Sequence, residues 1–154
     1  MRTPALELYR HAATRAFLIG DLFVYHDTSP EPPPLARWSE YLDAIQTKLA
    51  QIGRCLIVPS RGGLSAHQRE QVRRLIGRRP TAVLTDSALN RGIITSLTWF
   101  GVPIHAFHPG QYQAALTWLE REHVLTEVQH VLGVRAEPGP RSGDPRATGT
   151  SGRG

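Results

Sequence analysis

Three short apolar runs, RCLIVPS, TAVLTD and VPIHAFH, are each followed by a stretch whose apolar residues recur at helical spacing: GLSAHQREQVRRLIG, SALNRGIITSLTWFG and PGQYQAALTWLERE. The runs are too short and too continuous for surface helices, and each is closed by Gly, Pro, Ser or Asp, as buried strands are. Parallel strands need a crossover between them, and a crossover helix covers the sheet it serves. The repeated alternation therefore predicts a βαβαβα order and an α/β fold with a largely parallel sheet.

Upstream, LELYRHA and AFLIGDLFVYHD are rich in β-branched and aromatic residues, with breaks near Ala12 to Arg15 and at Gly20. They read as a hairpin or meander at one side of the sheet. The expected architecture is a mixed, largely parallel sheet of about five strands. TSPEPPP, with four prolines in seven residues, ends the extended part. Leu35, Trp38, Tyr41, Leu42, Ile45, Leu49 and Ile52 then predict one helix that closes at Gly53. TEVQHVLG extends or follows the last helix. Residues 135–154 are Gly, Pro, Ser, Thr and charge with almost nothing apolar, so they are expected to form a disordered tail behind an α/β domain of residues 1–134.

A chain of 154 residues suffices for one domain with its own core. No apolar run approaches the roughly 18 residues of a membrane span. Glu7, Arg10, His11 and Arg15 interrupt what would be the apolar part of a secretory signal, so a cytoplasmic location is expected. The single cysteine, Cys55, lies inside CLIVP and is expected to pack in a strand. The net charge is +5, of which the tail supplies +2. Lys48 is the only lysine among 18 basic residues, an imbalance that reads as the coding bias of a GC-rich bacterial genome.

Ligands in open α/β sheets bind beyond the carboxyl ends of the strands, which directs attention to three loops. PSRGGLS offers a turn for an anion, although no Gly-Lys-Ser/Thr follows and no GxGxxG occurs. Ser65, three residues before Gln68, has the spacing of a capping box. In TDSALNRG, Asp86 or Ser87 can cap the next helix. A nucleophilic Ser87 would need a histidine base that no motif selects. Asn90, Arg91 and Gly92 fall in the first helical turns. Glycine there costs about 1 kcal/mol relative to alanine. It points to close approach, with packing on the sheet the commoner reason and a partner the alternative. In HAFHPG, His105 and His108 point to opposite faces of a strand, and no further ligand stands at a telling spacing, so no metal and no cofactor is expected.

Arg61, Arg69, Arg73, Arg74, Arg78 and Arg79 gather about the second helix, opposed nearby by Glu70 alone. Such a face is ordinarily solvated, and it is also suited to docking an acidic surface. No nucleic-acid module with its aromatic platform is visible.

With this element order, the chain resembles the STAS domain, the fold of bacterial anti-sigma-factor antagonists (the SpoIIAA-like family). The resemblance is carried by residues 81–120: Asp86-Ser87, Arg91-Gly92, Trp99-Phe100-Gly101, Ala106-Phe107, Ala115-Leu116 and Trp118-Leu119. It implies a small regulatory module, usually without catalysis, that binds a protein partner. Its expected surface comprises Arg61, Arg69, Arg73, Asp86, Ser87, Asn90, Arg91 and Gly92. Self-association into a homodimer is left open. The alternative is a small ligand or lipid held between sheet and helices near Trp99, Phe100 and Phe107. The resemblance also implies a phosphorylated serine at the helix start after the central strand. Element order puts Ser60 and Ser65 there, whereas Asp86-Ser87 follows the next strand.

Overall fold

The computed structural model describes residues 3–11, 13–30, 34–59 and 64–133. One sheet holds six strands in chain order: β1 (Ala5–His11), β2 (Thr14–Ile19), β3 (Leu22–Asp27), β4 (Arg54–Val58), β5 (Thr81–Leu84) and β6 (Ile104–Phe107). The first three pair antiparallel and the last four parallel. The mixed, largely parallel sheet is as expected, with one more strand. AFLIGDLFVYHD is two strands because Gly20, at φ +62°, lets the chain reverse in two residues and pair Ile19 with Leu22.

Helices α1 (Leu35–Gln46), α2 (Ala66–Ile76) and α3 (Ala88–Trp99) cross between consecutive parallel strands. A crossover has a strong preference for one hand, and repeating it between strands that follow each other in sequence puts all three helices on one face. There Ala16, Leu18, Phe23, Tyr25 and Cys55 of the sheet meet Trp38, Tyr41 and Ile45 of α1. Burial pushes the Cys55 thiol up to about 12, so it acts as a small apolar side chain. The other face is covered by α4 (Tyr112–Trp118) and α5 (Leu125–Leu132), which bury Ala115, Leu116, Val128 and Leu132 against Ile19, Leu22, Val24, Leu56 and Leu84. No helix among the described residues is long and apolar enough to cross a membrane.

The helix after the proline stretch is shorter than its periodicity predicts. It stops at Gln46, where Thr47 turns its hydroxyl back onto the Ala44 carbonyl at 2.8 Å, and a single 3-10 turn over Leu49–Gln51 completes the link. Ile52 still reaches the core, so the apolar spacing survives a change of backbone. TEVQHVLG follows the last predicted helix as a separate one, since Glu120 adopts φ +57° and ends α4. The tail, residues 135–154, lies outside the described residues.

Candidate functional site

The carboxyl ends of β3, β4 and β5 open into a broad cleft of about 890 Å³, bordered by Asp27, Pro59, Thr85, Asp86, Ser87 and Asn90 among others. The strand-end expectation thus brings Asp86, Ser87 and Asn90 together. Thr85 organises this corner. Its N–H donates to the Phe107 carbonyl at 2.9 Å, and its Oγ1 accepts from the Ser87 N–H at 3.2 Å and from Asn90 Nδ2 at 3.4 Å. Ser87 Oγ in turn accepts from the Asn90 N–H at 3.3 Å, so Ser87 and not the exposed Asp86 caps α3. Arg91 reaches back to the Thr85 carbonyl at 3.4 Å. No histidine side chain among the described residues hydrogen-bonds Ser87.

Sequence reasoning singled out neither Thr85 nor Asp27, the buried carboxylate of this cleft. It ends β3 and is only 2% exposed. Its Oδ2 accepts from the Tyr25 hydroxyl at 3.0 Å, and its Oδ1 accepts from the Ser29 N–H at 2.8 Å and the Ser29 hydroxyl at 2.7 Å. Burial, reinforced by the neighbouring carboxylate, holds the Tyr25 hydroxyl far above the usual tyrosine range. The available signal was an Asp followed by Thr-Ser-Pro at the end of an apolar run, the pattern of a side chain that closes a turn.

The arginines around α2 do not form one uniform face. Ser65 and Gln68 make the predicted capping box: Ser65 Oγ accepts from the Gln68 N–H at 3.2 Å, and the Gln68 side chain accepts from the Ser65 N–H at 3.0 Å. Arg73 and Arg74 both bond Glu70, whose carboxyl Arg73, above all, holds down to about 2. Arg69 bonds the Leu64 carbonyl at 2.8 Å. Arg79, counted from sequence with the exposed set, turns inward to the carbonyls of Ile52 (2.7 Å), Leu49, Leu75 and Ile76 (3.2 Å each). The Leu49 and Ile76 carbonyls also accept the Ile52 and Arg79 N–H groups at 3.1 Å, so the guanidinium adds a second donor there and ties the two helix ends together. Ser60 and Arg61 lie outside the described residues.

Gly92 does not pack on the sheet as expected. It is on the outside of α3, and nothing beyond its own helix lies within 4 Å of where a Cβ would stand. Around it, at helical spacing, are Leu89 (69% exposed), Ser96, Trp99 (82%) and Phe100 (84%). The outer face of α3 is therefore a shallow strip, small in the middle and apolar at both ends. Phe107 does not join Trp99 and Phe100 either. It lies on the opposite face of the sheet, edge-on to His105 at 4.7 Å and to Trp118 at 6.2 Å. A ligand seat made of those three residues is excluded by strand alternation. Among the described residues no three His, Cys, Asp or Glu are grouped to hold a metal ion.

Between α2, α3 and the sheet lies a second cavity, of about 140 Å³. Ile57, Val83 and Ile104 of three adjacent strands form its floor, and Val72, Ile76, Ile94 and Leu97 its walls. It arises because α2 stays high on the sheet. Among the helix's described residues only Gln68 is fully buried, while Val72, Leu75 and Ile76 remain half-buried. Pro59 and Asn90 line both this cavity and the strand-end cleft.

Comparison with known proteins finds no matching family profile, curated relative or solved structure.

Proposed function

We propose that this chain is a non-catalytic, STAS-like regulatory module of the bacterial cytoplasm that works by binding a protein partner on the outer face of α3. The observation that carries this reading is the strip Leu89, Gly92, Ser96, Trp99 and Phe100. Two adjacent aromatic residues more than 80% exposed are uncommon on a small α/β domain, and aromatic side chains dominate binding at protein interfaces. Gly92 and Ser96 between them let another backbone come close. Arg78, exposed just beyond the end of the neighbouring helix, and the net charge of +5 favour an acidic partner. An amphipathic, acidic helix fits this chemistry.

The test uses the open space at Gly92. Gly92→Gln meets no neighbour and raises helix propensity, so it stabilises the fold by up to about 1 kcal/mol while blocking the strip. Crosslinked pull-downs from native extract, read by mass spectrometry, are compared for the unaltered chain, Gly92→Gln, and Trp99→Ser with Phe100→Ser. An acidic protein captured by the first and lost from both variants supports the reading. No capture above background, or capture indifferent to both variants, overturns it.

A further inference from the structure

We infer that the cavity between α2 and α3 is a binding site for a small hydrophobic carboxylate, a molecule with one ring or a short branched chain and a single acidic head. This site is separate from the outer strip of α3 and does not depend on the partner reading.

Three observations lead to it. The first is size and lining. A volume of about 140 Å³, open on one side and lined mainly by aliphatic side chains, has room for a benzene-sized group. Here the floor is Ile57, Val83 and Ile104, and the walls are the aliphatic side chains of two helices. The second is that the neighbouring helix does not fill it, since Val72 and Ile76 of α2 remain only half-buried beside it. The third is the rim. Arg69 borders the cavity with Nη1 held by the Leu64 carbonyl, and its other guanidinium nitrogens donate to no described residue. A guanidinium with two donors in a fixed fork matches a carboxylate. Arg73 on the same rim is already committed to Glu70, which leaves Arg69 as the acceptor's partner and Asn90 as a neutral donor at the cleft end.

Occupation would complete the burial of Val72 and Ile76, which the helix alone leaves unfinished. The ligand would therefore tighten α2 onto the sheet. It recognises shape through the floor and charge through Arg69.

The full chain is titrated with three probes that share a ring and differ in the head: phenylacetate, toluene and phenethylammonium. Methyl NMR of Ile57, Ile94 and Leu97 reports occupancy. Phenylacetate is expected to bind most tightly, toluene next and the cation least. Arg69→Gln should weaken phenylacetate about tenfold, the effect of one charge-assisted hydrogen bond, and leave toluene unchanged. Leu97→Trp fills the space and should abolish all three, with Ile93→Phe as a second filling variant should the first not fold. The absence of methyl shifts with every probe, or shifts that persist in a folded filled variant, overturns the site. Equal affinity for phenylacetate and phenethylammonium overturns the acidic head.

Discussion

Asp21 and Arg121 form a two-point ion pair across a separation of 100 residues, Nε to Oδ1 and Nη2 to Oδ2, each at 2.8 Å. The pair ties the β2–β3 turn to the end of α4. Gly53 completes the corner: its N–H donates to the Asp21 carbonyl at 2.8 Å, and a Cβ there would collide with Asp21 Oδ2. The Arg121 guanidinium holds the Asp21 carboxyl below its usual range, chiefly through the hydrogen bond it donates. A carboxyl depressed on folding stabilises fully above its unfolded value of about 3.9, and the contribution is lost as pH falls through the lower folded value. Both side chains keep some solvent contact, so Arg121→Ala should cost only about 1 kcal/mol at neutral pH. Urea unfolding at neutral pH and in strong acid checks this, and the difference from the unaltered chain should close in acid. Gly53→Ala should cost less in an Asp21→Ala background than alone, because the collision is then gone.

Arg79 and Arg78 are adjacent and should behave oppositely. Arg79 donates to four backbone carbonyls, and Arg79→Ala should destabilise by about 3 kcal/mol, since half-buried acceptors lose a charged donor. Arg78 is exposed, and Arg78→Ala should stay within about 0.5 kcal/mol. Arg79→Lys should not recover the loss, because one ammonium cannot span four acceptors. Thermal unfolding of the three variants decides.

Glu120 closes α4 in a left-handed conformation. The Arg121 N–H reaches the Leu116 carbonyl at 2.8 Å and the Glu120 N–H the Thr117 carbonyl at 3.0 Å, the double bond of a helix end that favours glycine. Its ion pair with Arg54 leaves the Glu120 side chain 77% exposed and contributes little. Glu120→Gly should therefore stabilise by about 1 kcal/mol, seen as a higher denaturation midpoint at unchanged slope.

Ser87 acts through its hydroxyl as a cap. Ser87→Ala should cost about 1 kcal/mol and speed amide exchange at Asn90, whereas Ser87→Asp should restore the cap with a charge favourable at a helix start. A serine-reactive phosphonate probe should leave Ser87 unlabelled.

The local devices were legible in the chain because their partners are near in sequence. Ser65 finds Gln68, Ser87 finds the Asn90 N–H, and the alternation of apolar runs with helical stretches sets the element order; each depends on backbone geometry within one or two turns. Thr47 and Glu120 show where this reading stops, since apolar spacing continues through both while the backbone turns away. The candidate site was legible in part for the same reason: strand ends locate Asp86, Ser87 and Asn90, but Asp27 arrives from β3 only through sheet pairing.

The alternation of strands and helices from Arg54 onward and the capping box at Ser65 follow from local pattern in the chain. Tertiary structure alone decided that Arg79 turns inward, that Gly92 faces open space, that Phe107 and Trp99 lie apart, and that α2 and α3 enclose a cavity. Periodicity reports the direction of a side chain relative to its own element. What stands opposite that side chain depends on chain segments tens of residues away, and only their packing supplies it.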